Sequence, residues 1–384
     1  MILYLSSAID KNTYSDYFKK GFVGSSIQAQ RFNSLVIEGI GHQCPVCAVG
    51  HPEYTSKAEI RTIIQKDIQN VRYYILGNKK GKFRRFLNLR QLLYISKLVI
   101  KKEKVDAIIC DAISPLYSLS ARILSKKYGL PTIAIVTDVP TIMDDNHRSL
   151  LTEFSQYLIQ RHNGYVLLTK AMGRLVNPKN NPHIIMEGLC DAKPHKRIKL
   201  DREFTTILYT GSLTEQTGIL TLINAVKSLG TTNVKLFIYG SGPAEKYVKD
   251  EAMLNDNIVF GGLVTNEEAA QLQRNADFLI NPRPSNIGYA EFSFPSKVME
   301  YMASGTPLLT TKLAGIPDDY YQYVYTIDDD SVNGIKKAIL RVLSIDKKEL
   351  EEKGASAQHF VMDNKNNIAQ GKRIIDLVEL LKLM

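Results

Sequence analysis

Cysteine is scarce in this chain: four in 384 residues, too few and too scattered for a disulfide framework. Cys44 and Cys47 form a single C-x-x-C, while Cys110 and Cys190 stand alone, so no second pair completes a zinc site. A reducing cytosol fits that usage. No apolar run reaches the roughly 18 residues of a membrane-crossing helix. The opening MILYL is too short for a secretion signal and lacks its basic flank, so it reads as a first strand. G-x-G-x-x-G is missing as well, which leaves F-V-G-S-S, around Gly24 and Ser25, as a weak phosphate-loop candidate. No internal repeat or low-complexity tract stands out.

What is present amounts to two domains' worth of ordinary globular sequence, with 44% hydrophobic content. The net charge of +10 is unevenly placed. Residues 1–192 hold 26 Lys/Arg against 15 Asp/Glu, and residues 193–384 hold 23 against 24. A basic half and a neutral half imply two domains with different partners. The excess peaks between Arg72 and Lys104, where eleven basic side chains face one acid, Glu103. There Phe83, Phe86, Leu87, Leu93, Ile95, Leu98 and Val99 give an apolar side, flanked by Lys79, Lys80, Lys82, Arg84, Arg85 and Arg90. Such a segment is either a surface helix packing on its own domain or a basic amphipathic face lying on anionic lipid. Nucleic acid ranks last as a partner, because no nucleic-acid-binding motif is present and few aromatics interleave with the basic patches.

Apolar runs rich in β-branched residues recur at 2–6, 44–49, 105–110, 132–137 and 165–168, with helical spacing at 25–40, 114–128 and 148–161. Residues 7–24 read as a polar, aromatic-spotted loop. Alternation of this kind predicts a doubly wound parallel sheet, whose ligands lie beyond the carboxyl ends of its strands. Asp138 stands there, directly after AIVT, as a loop-starting cap or a functional carboxylate. Prolines and charges break the pattern between Asn177 and Phe204 and place a linker at 191–204. A second alternating set follows, with strands at 206–210, 235–239, 257–260, 277–280, 307–310 and 323–327. Glycines follow several of them, at Gly211, Gly240 and Gly242, where a ligand could approach the backbone closely. The acidic run at Asp328–Asp330 suits a helix start better than a metal.

The densest stretch is Asn281–Leu309, NPRPSNIGYAEFSFPSKVMEYMASGTPLL. It leaves a strand, crosses a punctuated loop, enters a helix near Pro295 and stops at Gly305. Free amides at the start of that helix suit a phosphate. Lys297 and Glu300, one turn apart, share a helical face there.

On these residues the chain resembles the retaining glycosyltransferases of family 4, bacterial polysaccharide branch, with a GT-B fold. The resemblance is carried by ILYTGSLTEQTGI, LFIYGSGP, NIVFGGLV, ADFLINPRP, SFPSKVMEYMASGTPLLTT and LAGIP. Thinner matches follow in GSSIQAQRFNSLVIEGI, AIVTDVP, GYVLLTKAM and IIMEGLCD. It implies two Rossmann-like α/β domains facing across a cleft. Residues 1–190 would bind the acceptor and face the membrane, and 205–362 would bind a nucleotide sugar. A final helix, 363–384, would pack back on the first domain. Glu300 would take both ribose hydroxyls. Amides near Phe292, Ser293, Phe294 and Ser296 would meet the diphosphate, Gly240 and Gly242 would make room for the nucleotide, and Val264 would lie against the base. Gly24 and Ser25 would bring a second helix start, and Asp138 would orient the acceptor or a sugar hydroxyl.

Two departures from the family are visible. Where the family places two basic residues after the first glycine of the second domain, this chain has Ser212 and Thr217. Arg283 and Lys297 are the nearest replacements for the charge that a departing diphosphate requires. The family's paired glutamates stand eight positions apart, which from Glu300 points to Phe292, with Glu291 one place off. The resemblance further implies a metal-independent enzyme with no cofactor, working at the inner membrane face on a lipid-linked saccharide. The alternatives are a non-catalytic nucleotide-sugar-binding subunit of a partner transferase and a GT-B sugar-nucleotide epimerase.

Overall fold

The computed structural model describes residues 1–24, 27–58, 60, 62–79, 81–143, 149–193, 197, 202–230 and 233–384. The chain divides into two units, Met1–Asp191 with Lys365–Met384, and Ala192–Asn364. Both are Rossmann-like α/β domains built on parallel sheets.

The first unit runs β1 (Ile2–Ser6), α1 (Lys11–Lys19), α2 (Ile27–Gly41), β2 (Val46–Gly50), β3 (Ile64–Ile68), β4 (Val71–Ile75) and α3 (Arg84–Lys102). It continues with β5 (Ala107–Asp111), α4 (Pro115–Tyr128), β6 (Thr132–Val136), α5 (Pro140–Met143), α6 (Leu150–Ile159), β7 (Gly164–Leu167), α7 (Lys170–Val176) and β8 (His183–Ile185). The sheet order is β3-β4-β2-β1-β5-β6-β7-β8, parallel except for β3, which pairs antiparallel with β4. Strands β1, β2 and β6 are buried along their whole length, as expected of strands covered on both faces.

Three features depart from the sequence expectation. Helix α1 occupies part of the expected loop. Asp10 caps it through the Thr13 amide at 3.0 Å, and Thr13 and Tyr17 turn into the core. The β3–β4 hairpin also went unforeseen. In α3 the buried stripe is Leu92, Ile95 and Val99, whereas Phe83 and Phe86 are 76% and 57% exposed. The apolar residues of that segment therefore split between two faces of one helix.

The second unit runs β9 (Thr205–Thr210), α8 (Ile219–Lys227), β10 (Val234–Tyr239), α9 (Glu245–Leu254), β11 (Ile258–Gly262), α10 (Asn266–Asn275) and β12 (Phe278–Asn281). There follow α11 (Ser296–Ala303), β13 (Leu308–Thr311), β14 (Tyr325–Ile327), α12 (Val332–Leu343) and α13 (Lys347–Asn364), the last of which was not expected. Its sheet is parallel throughout, in the order β11-β10-β9-β12-β13-β14. The order reverses between β9 and β12, which is where open α/β sheets bind ligands.

From the second unit the chain returns to the first. Cys190 and Asn366 form a parallel bridge, and Lys365 pairs with Glu187 at 2.9 Å. Helix α14 (Asn367–Lys382) then packs on α2. A Cβ on Gly371 would lie 2.2 Å from the backbone of Gly39, and one on Gly39 would lie 1.9 Å from the Asn367 carbonyl oxygen. Two backbones meet there with no side chain between them.

His162 is 2% exposed, its Nε2 lies 2.9 Å from the Ser118 hydroxyl and its Nδ1 has no partner. Burial, helped by the Arg122 charge, pushes its pKa down to about 3. The folded chain thus refuses a proton that the unfolded chain accepts from about pH 6.5 downward. Stability should fall as pH drops below that value, by about 2 kcal/mol at pH 5 from this group alone. Denaturant titrations at pH 7 and pH 5 test this, with His162→Gln expected to flatten the difference.

Candidate functional site

In the second unit the site is built where the sheet order reverses. Gly211, directly after β9, has φ +142°, and a Cβ there would sit 2.1 Å from Cε of Lys297. Gly240, after β10, has the same φ, and its Cβ would strike the Gly211 carbonyl oxygen at 1.8 Å. Gly242 approaches the Leu213 carbonyl as closely as 2.4 Å in the same sense. Side chains are therefore excluded along the ends of β9 and β10, and the backbone loops stack directly.

Helix α11 faces these glycines. Val298, Met299, Tyr301 and Met302 are its buried side. Tyr301 pins it: its hydroxyl takes the Thr210 amide proton at 2.8 Å and donates to the Thr210 carbonyl at 3.0 Å. No side chain caps the first turn, whose N-cap is Pro295, so the partial positive charge of the helix start is not offset there. Lys297, in that turn, donates from Nζ to the Tyr209 hydroxyl at 2.5 Å and sits 4.0 Å from the ring centroid. Burial pulls its pKa down to about 7, opposed by Glu300 and reinforced by Arg283. A poorly solvated cation, a second cation and an uncapped helix start thus converge near β9. Arg283 is half-buried and lies over the Tyr289 ring at 5.4 Å. Glu300 is half-buried on the same helix.

The remaining residues singled out from the sequence are distributed as follows. Thr217 spends its hydroxyl on the Thr214 and Ser212 carbonyls, at 2.7 and 3.1 Å, and Ser212 is exposed. Phe294 is buried against Tyr320, with ring centroids 5.5 Å apart, and anchors the loop. Glu291 and Phe292 lie on a short 3-10 turn before Ser293. Ser296 is exposed at the helix start, and Val264 is half-buried beyond β11. Asp328, of the acidic run, pairs with Lys312 at 3.1 Å, while Asp330 accepts from the Ser285 amide at 2.6 Å. Among the described residues no His/Cys/Asp/Glu group is arranged to hold a metal ion.

In the first unit Asp138 follows β6, half-buried, with its pKa raised to about 6 by burial and then by the Asp111 charge. Asp111 ends the neighbouring strand β5 and is likewise raised to about 6, mainly by burial. A relay holds it: the buried Tyr4 hydroxyl donates to Asn33 Oδ1 at 2.6 Å, and Asn33 Nδ2 donates to Asp111 at 3.3 Å. Sequence reading missed Asp111, although it ends its strand much as Asp138 follows β6. Gly24 spends its amide on the Glu53 carbonyl at 3.1 Å. Ser25 and Lys80 lie outside the described residues. Lys82, Arg84, Arg85 and Arg90 are exposed at the start of α3, and Lys79 precedes them.

A raised carboxylate pKa costs stability as pH climbs from about 4 to 6 and keeps that cost above it. Asp138→Asn should therefore raise the thermal midpoint at pH 7 by about 3 °C. Calorimetry checks this, and a lowered midpoint would assign Asp138 to structure.

Residues 205–344, within the second unit, match the family model described as "Glycosyl transferases group 1". "Putative colanic acid biosynthesis glycosyltransferase WcaL" of Salmonella typhimurium is 22% identical over 192 residues, 48% of this chain and 47% of that protein. The matching part of the chain spans about half the length of that curated relative. Sucrose-phosphate synthase from Thermosynechococcus elongatus shares the fold with a TM-score of 0.72 at 15% identity, covering 99% of each chain. HepE of Anabaena, solved with UDP and glucose, does so at 0.63 and 13%, covering 98% of this chain and 99% of its own.

Proposed function

We propose that this chain is a retaining glycosyltransferase that moves a sugar from a nucleotide-diphosphate donor to a lipid-linked saccharide in cell-surface polysaccharide synthesis. The observation that carries the reading is Lys297, held over Gly211 at the uncapped start of α11 with Arg283 beside it. A leaving diphosphate needs positive charge and amide donors where its own charge grows, and this place supplies both. Glu300, one turn along, accepts from the two ribose hydroxyls. Gly240 and Gly242 admit the nucleotide, and Val264 lies against its base. In the first unit Asp138 orients an acceptor hydroxyl. Because Lys297 and Arg283 provide the cationic charge, the reaction needs no metal, and added EDTA leaves turnover unchanged.

A membrane role rests on α3. Phe83, Phe86, Leu87 and Tyr94 are exposed on a helix whose start carries Lys82, Arg84, Arg85 and Arg90. An apolar stripe beside basic side chains suits an anionic bilayer, at about 1 kcal/mol per near-surface charge. Among the described residues no helix is long and apolar enough to cross a membrane.

The test is a panel of nucleotide sugars offered with a polyprenyl-diphosphate saccharide, followed by anomeric analysis of the product. Absence of both turnover and nucleotide binding across the panel rejects the enzyme. Binding without turnover until a second chain is added identifies a donor-binding subunit instead.

A further inference from the structure

We infer that Tyr209 is the positioning residue for Lys297, and that the pair makes donor binding a proton-uptake reaction; this rests on the donor site proposed above. Tyr209 is fully buried in β9 and its hydroxyl donates to the Ser212 carbonyl at 2.6 Å. Its proton is committed there, so the oxygen faces Lys297 as an acceptor, at 2.5 Å. The same nitrogen lies 4.0 Å from the ring centroid, on the hydroxyl side of the ring. A flexible four-carbon stem is thereby fixed with its tip at the end of β9 instead of ranging through solvent.

The groups around that nitrogen come from three elements. β9 offers Tyr209, a neutral acceptor. The loop after β12 brings Arg283, which opposes a second positive charge, and α11 brings Glu300, which favours one. Tyr301, also on α11, turns its hydroxyl to Thr210. Lys297 is half-buried, and its partial burial outweighs Glu300, so near neutral pH the lysine is poised between amine and ammonium. An arriving diphosphate supplies the missing negative charge. The amine takes one proton from solvent, an N–H bond forms, and the ammonium donates to a phosphate oxygen. When the nucleoside diphosphate leaves, the proton returns to solvent.

Calorimetry of the full chain with UDP, ADP and GDP, in buffers of unlike ionisation enthalpy, reads the coupling directly. From pH 7.5 upward the terminal phosphate is already ionised and contributes little. The nucleotide that binds should take up at least about half a proton at pH 8 and bind roughly tenfold more weakly at pH 9 than at pH 7.5. Lys297→Arg, permanently charged, should still bind but lose both the uptake and the pH dependence. Tyr209→Phe keeps the ring and deletes the acceptor. It should weaken binding about fivefold and shift the pH midpoint downward, whereas a merely structural tyrosine would leave the midpoint in place. A wild-type chain that binds a nucleotide with flat affinity and no net proton overturns the coupling and leaves the donor site standing. Failure to bind any of the three overturns both.

Discussion

Replacing Glu300 by alanine is expected to weaken nucleotide-sugar binding about 100-fold, the largest effect of any single change at the site. A carboxylate that accepts from two ribose hydroxyls makes two charge-assisted bonds, and losing them removes about 3 kcal/mol. The loss has a second component. Glu300 is the charge that supports the ammonium form of Lys297, so its removal also weakens the cation proposed to meet the diphosphate. Glu300→Gln separates the two: it can still meet one hydroxyl but no longer supports the charge. Titration calorimetry with the donor measures both variants. An alanine variant with unchanged affinity would move the ribose site elsewhere.

A change far from this site should be the more damaging to the protein itself. Gly39→Val places a branched side chain where the Asn367 carbonyl already stands, 1.9 Å from the position of a Cβ. Neither backbone can yield without lifting α14 from α2. That helix buries Ile374, Leu377, Val378 and Leu381, and Gln370 is 0% exposed. Overpacking of this kind should cost about 3 kcal/mol, and the freed helix should be cut early by protease. Denaturant titration with limited proteolysis tests it. If the variant is as stable and resistant as the parent, the close crossing does not exist in solution.

Much of the architecture could be read in the sequence because burial on both faces makes parallel strands into apolar runs. The runs at 2–6, 132–137 and 206–210 emerged as β1, β6 and β9 within a residue or so. What escaped was structure whose cause is not periodic. Helix α1 depends on one capping bond from Asp10, and α3 places its aromatic residues on a face that its own domain does not use. Residues 64–75 form a hairpin at the sheet edge, where β3 is mostly half-buried or exposed and carries little apolar signal.

The candidate site is legible in part. Helical spacing puts Lys297 and Glu300 on one face. Tyr209 reads as core because it lies inside an apolar strand, and it is core: only its hydroxyl reaches the site. Asp111 was missed for a related reason, since one strand-ending carboxylate draws the eye and two look like background. Gly39 and Gly371 escaped too. A glycine in a helix costs about 1 kcal/mol against alanine, and the purpose of that cost is visible only once both helices are placed.

The return of α14 has a consequence for how the protein is made. The bulk of the first unit leaves the ribosome before the second, yet the helix that covers its α2 is translated only after all of residues 192–364. Until then the groove that receives Ile374 and Leu377 stays open. During synthesis the second unit can finish folding while the first waits incomplete, and a chain stopped at Asn364 would keep the second unit intact and lose stability in the first. Order of emergence and order of completion are reversed in this molecule.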